Sequence, residues 1–109
     1  MTFREIYDAL ASSGLPVTYL QWHEGQVPAL PYVCYYFPNS DNMKADDSVY
    51  QKITAINVEL YTKEKDTDTE AALEAVLASF GIVWDKSETY LNDEHMFEVL
   101  YESEVLING

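Results

Sequence analysis

Residues 50–62 alternate without a break: Thr54, Ile56, Val58 and Leu60 fall on one side, and Ala55, Asn57, Glu59 and Tyr61 on the other. A period of two sustained over this length is incompatible with a helix and predicts a long strand with one face buried. The closing stretch carries the same signal. Phe97, Val99, Tyr101, Val105 and Ile107 share one side, and Glu98, Glu102 and Glu104 the other. Two long strands of this kind commit the chain to a sheet with one apolar face.

The run YVCYYF, residues 32–37, lies between Pro31 and Pro38 and is too short for an ordinary helix. Its β-branched and aromatic content predicts a strand covered on both faces, with prolines at the ends, where a missing N–H does least damage. Residues 17–22 and 82–91 read as further strands. Thr2 with Glu5 has capping-box spacing, and Phe3, Ile6, Tyr7 and Leu10 then share a helix face that Gly14 ends. Thr67 with Glu70 repeats the spacing ahead of a second stripe, Leu73, Val76, Leu77 and Phe80, which Gly81 terminates.

The order is therefore α-β-β-β-α-β-β: a single α+β domain over residues 1–109, with two helices packed on one face of an antiparallel or mixed β-sheet. The expected core is Phe3, Ile6, Leu10, Val33, Ile56, Val58, Leu60, Leu73, Val76, Leu77, Val99 and Tyr101. Residues 39–48, NSDNMKADDS, are polar and aperiodic and read as a loop that is exposed and mobile in the free subunit and orders on assembly.

Charge limits the function. Nineteen acids stand against six bases, and Arg4, Lys44, Lys52, Lys63, Lys65 and Lys86 are scattered, so the clustered cations that grip nucleic-acid phosphates are missing. The acidity serves either solubility or a surface that must not hold a polyanion. No run approaches the roughly 20 apolar residues that cross a bilayer, and the amino-terminal pattern lacks a signal-peptide stretch, so a soluble cytoplasmic product is expected. Cys34 is the lone cysteine and reads as a buried core thiol.

Chemistry is sparse. No nucleophile elbow and no phosphate-cradling loop is present, and His23 and His95 are far apart, with HEGQV lacking the second histidine of the zinc-protease pattern. The acidic segment from Asp41 fails as an EF-hand, because Asp46 and Lys52 stand where glycine and glutamate are needed. Asp66, Asp68 and Glu70 fit a helix start. No enzyme, metal or cofactor is expected.

The succession WHEGQVPALPYVCYYFPNSDN, VYQKITAINVELYTKEKD, EAALEAVLASFGI and EVLYESEVL resembles the small tail completion proteins of long-tailed bacteriophages and prophages of Gram-positive bacteria, often labelled minor capsid protein or tail terminator. The resemblance covers nearly the whole chain from about residue 15. It implies an α+β subunit that assembles into a ring, commonly hexameric, capping the tail tube and facing the head connector. It also implies no catalytic activity and no cofactor, with partners confined to itself, the tube protein and neck proteins. The protein would then reside in the virion after assembly in the host cytoplasm, without sequence-specific nucleic-acid or membrane binding.

On that reading Tyr32, Tyr35 and Tyr36 are candidates for a subunit seam. Asn39, Ser40, Asp41, Asn42, Asp46 and Asp47 form a candidate assembly loop, and Glu98, Glu102 and Glu104 a candidate acidic face toward the lumen. The alternatives are a small non-catalytic binding module using the apolar sheet face and the 39–48 loop, or another neck component.

Overall fold

A computed structural model describes residues 1–42 and 51–108. Its elements are α1 (Phe3–Ala11), β1 (Val17–Tyr19), β2 (Tyr32–Tyr36), β3 (Ser40–Asn42), β4 (Gln51–Thr62), α2 (Thr67–Ser79), β5 (Trp84–Leu91) and β6 (Met96–Asn108). The strands form one mixed sheet in the order β1-β2-β4-β6-β5, with β3 also pairing β4. The expected α+β arrangement is present, with β3 added to the order.

The β4–β6 ladder is the spine, running antiparallel from Gln51↔Asn108 to Thr62↔Phe97. Because both strands keep their alternation, one sheet face is apolar throughout, and Ile56, Val58, Leu60, Val99, Tyr101 and Ile107 are buried against Ile6 and Leu10 of α1 and Leu73 and Leu77 of α2. β1 runs parallel to β2, with Val17↔Val33 and Tyr19↔Tyr35 in register.

Expectation and structure part in four places. Ser40–Asn42 is a strand rather than loop: Tyr36 pairs Asn57 and Ser40 pairs Thr54, so Phe37, Pro38 and Asn39 oppose only Ala55 and Ile56. That extra residue makes a β-bulge, and Pro38, which has no N–H, sits within it. Asp46 and Asp47 lie outside the described residues. Residues 17–22 yield only a short strand, for a reason that belongs to Leu20, described below.

The third difference is the α1 stripe. Ile6, Ala9 and Leu10 are buried, whereas Phe3 is 50% exposed and Tyr7 is also exposed. Val76 is half-buried and Phe80 exposed, both bordering the cleft between α2 and α1. Fourth, α2 is capped by Asp66, whose carboxylate accepts from Thr69 N–H at 3.1 Å and Thr69 Oγ1 at 2.6 Å, so Thr67 lies inside the helix. The Thr2–Glu5 box forms as expected, with bonds of 3.0 and 3.1 Å. Gly81, at φ 74°, closes α2 in a Schellman motif: its N–H bonds Ala78 O and the Ile82 N–H bonds Leu77 O, each at 3.0 Å.

Candidate functional site: the open face and the sheet edges

The helices cover one face, so the chemistry of the other is set by strand parity. Glu98, Leu100, Glu102, Glu104 and Leu106 of β6 point there, with Ala55, Asn57, Glu59 and Tyr61 of β4 and Asp85, Ser87 and Thr89 of β5 beside them. Glu98, Glu102 and Glu104 thus share one surface, as the alternation predicts. Register adds two acids that the single-strand pattern did not connect with them. Asp85 stands directly opposite Glu102, and Glu59 lies diagonal to Glu98. Like charges directly opposed on a sheet are unfavourable. No lysine or arginine occupies the strand positions of this face among the described residues.

The Glu98 carboxylate accepts a hydrogen bond from Tyr61 Oη at 2.8 Å. Burial, reinforced by the neighbouring Glu98, raises the Glu59 carboxyl above its usual range. Burial and then Glu59 push the Cys34 thiol up to about 11, so this buried cysteine stays protonated at neutral pH. Burial, then the bond to Glu98, raises the Tyr61 hydroxyl as well.

The three seam candidates occupy different environments. Tyr32 is 8% exposed and Tyr35 6%, both inside the subunit. Tyr36 is half-buried, with its oxygen accepting from Asn57 Nδ2 at 3.0 Å. The outward aromatics lie one layer beyond, where Phe3 meets Phe37 edge-on at 5.0 Å and Tyr19 packs on Phe37 at 5.7 Å. Exposed Leu20 adjoins them at φ 67°, and the Gln21 N–H closes a three-residue turn on Tyr19 O at 2.8 Å. A leucine at positive φ in a γ-turn is strained, and the turn ends β1 after three residues. Periodicity holds no signal for it.

On the helical side lies a charge cluster that sequence reading assigned to capping. Glu70 is 2% exposed, and its Oε1 is met by Lys65 Nζ at 2.8 Å and Lys86 Nζ at 2.7 Å. Lys86 also reaches Glu74 at 2.7 Å, Lys65 pairs with Glu88, and Tyr101 Oη donates to Glu74 at 2.8 Å. Burial opposes the Glu70 charge, but the two lysines hold its carboxyl below the usual range. The arrangement binds α2 to β5. Among the described residues no group of three His, Cys, Asp or Glu side chains is placed to hold a metal ion, and no helix is long and apolar enough to cross a membrane.

No family model and no curated protein matches the sequence. Among solved structures, the chain is similar to a chain of the virion of a native gene transfer agent particle, with a TM-score of 0.57 and 15% identity over 98% of this chain and 89% of that one. At that identity the likeness is one of fold, and it extends over essentially the entire α+β domain.

Proposed function

We propose that this chain is a structural subunit of a phage-like virion, a tail terminator or tail completion protein that closes the tail tube as a six-membered ring and helps join tail to head. The observation that carries the reading is the shared fold, over 98% of the chain, with a component of a gene transfer agent virion. An open sheet face whose strand positions carry acids and no cation supports it, because a DNA passage must not retain its cargo. Identical subunits that close a ring head to tail must present two unlike surfaces. The β1 edge with its outward aromatics and the longer β5 edge answer that need. Of the three tyrosines, Tyr36 has surface to give to a seam, alongside Tyr19, Phe3 and Phe37.

In this role the acidic face turns toward the lumen, and the partners are further copies, the tube protein and the head connector. Electron microscopy of particles lacking the protein tests the proposal. Aberrantly long tails are expected; unjoined but normal-length tails would assign it to a neighbouring neck position, and normal particles would overturn the reading.

A further inference from the structure

β6 runs on past its partner. The β5–β6 ladder stops at Trp84↔Ser103, whereas among the described residues β6 continues to Asn108 against β4 alone. The Ala55 N–H donates to Asn39 O at 2.9 Å, so Ala55, and by alternation Ile53, direct their main-chain groups toward β3. Their partners across the ladder, Glu104 and Leu106, therefore direct their N–H and C=O groups away from β4, into the space that β5 has vacated.

Beside Glu104 that space opens into a groove of about 530 Å³ at the step in the sheet. Val83, 83% exposed, and Trp84 supply its apolar part, and Asp85, Glu102 and Glu104 supply three carboxylates, with no cation in the lining among the described residues. The Ser103 hydroxyl bonds the Val83 carbonyl and holds the approach to β5 aside from the overhang. One edge acceptor already takes a cationic donor, since the amino-terminal ammonium bonds Leu106 O at 2.9 Å.

We infer that this overhang is a docking edge for an extended, lysine- or arginine-bearing segment of another protein, which adds to β6 as a strand in line with β5. Its main chain would pair with Glu104 and, on displacing the amino-terminal ammonium, with Leu106, and a basic side chain would stand opposite Glu104 with Glu102 and Asp85 close by on the same face. Strand addition gives affinity through main-chain bonds and selectivity through alternate side chains. A second copy of this chain is a poor occupant, because at a net charge of −13 it brings repulsion to an acidic groove. The site stands whether or not the ring reading holds.

The probe is a short, acetylated and amidated peptide alternating lysine and valine, titrated into the intact protein and followed by amide NMR. Shifts are expected at Val83, Trp84, Glu104 and Leu106, with the Glu104 amide gaining protection from exchange. The same peptide N-methylated at alternate residues keeps its charge but cannot pair, and should bind about tenfold more weakly through the loss of two main-chain bonds. A glutamate–valine peptide should not bind, and the Glu102→Lys/Glu104→Lys protein should lose the site. Equal binding of the N-methylated peptide, or shifts centred on Glu59 and Glu98 instead, would reduce the effect to general charge attraction and overturn the inference.

Discussion

Glu70, in the first turns of α2, and Lys86, on β5, meet at 2.7 Å across the helix–sheet boundary, the glutamate almost fully buried and the lysine partly open to solvent. The pair fixes α2 against the strand farthest from the sheet's other edge. Glu70→Gln should cost about 1–3 kcal/mol at neutral pH, the range for hydrogen bonds to charged groups tempered by the partial exposure of both lysines. The Glu70 carboxyl sits below its unfolded value, so its contribution is complete above about pH 4.3 and fades as pH falls through the folded value. Thermal unfolding from pH 7 to pH 3 should show the gap between the two proteins narrowing only in the acid range.

Glu59 has the opposite sign. Its carboxyl is raised in the folded state, so the folded protein holds that proton more firmly and stability declines as pH rises from the unfolded value through the folded one. Glu59→Gln should stabilise the protein at pH 7 by a few tenths to about 1 kcal/mol, as expected for relief of a like-charge neighbour on a sheet. It should also flatten the pH dependence over the interval from the unfolded value, about pH 4.3, up to pH 7. Urea unfolding of both proteins across that interval measures it, and a destabilised variant at pH 7 would contradict the assignment.

Leu77 is fully enclosed between α2 and the sheet, so Leu77→Ala should cost about 2–5 kcal/mol. Val76, one residue earlier but half-buried, should cost clearly less on the same substitution. Denaturant midpoints at unchanged m-value separate the two cases.

On the proposed ring reading, the acidic face makes a prediction for the assembled particle. Glu98→Lys, Glu102→Lys and Glu104→Lys together should leave the fold intact: Glu102 and Glu104 are exposed charges that contribute little to stability, and at half-buried Glu98 the exchange gives up the bond from Tyr61 but sets a cation beside Glu59. They should nevertheless make assembled rings retain DNA, with retention falling as salt is raised. A triple variant that assembles and releases DNA like its parent at low salt would return the acidity to a solubility role. Ring formation by the parent protein should be favoured by added salt, since repulsion between copies is screened beyond about 8 Å at physiological ionic strength.

The parts legible in the sequence were those written by period. The alternation of residues 50–62 and of the last strand assigned both sheet faces correctly, down to the shared side of Glu98, Glu102 and Glu104, and Leu73 and Leu77 marked the α2 face. What escaped depends on partners distant in sequence. Ser-Asp-Asn has little strand preference of its own, and β3 exists because β4 offers it an edge. Nothing local distinguishes Glu70 as a capping partner from Glu70 as the anchor of Lys65 and Lys86. Tyr32 and Tyr35 could not be told from seam residues, because the Trp22 and Tyr19 rings that pack on them arrive from another segment.

The bulge at residues 37–39 bears on how such a chain can change length. A single insertion or deletion within the β4–β6 ladder would exchange the two faces of everything beyond it, sending Val105 and Ile107 to solvent and Glu104 into the core. Lineages descending from this sequence can therefore lengthen or shorten that ladder in steps of two, or absorb an odd residue where pairing is already interrupted. Phe37, Pro38 and Asn39 mark such a joint, where the reading frame of inside and outside can shift by one without rewriting the strand that follows.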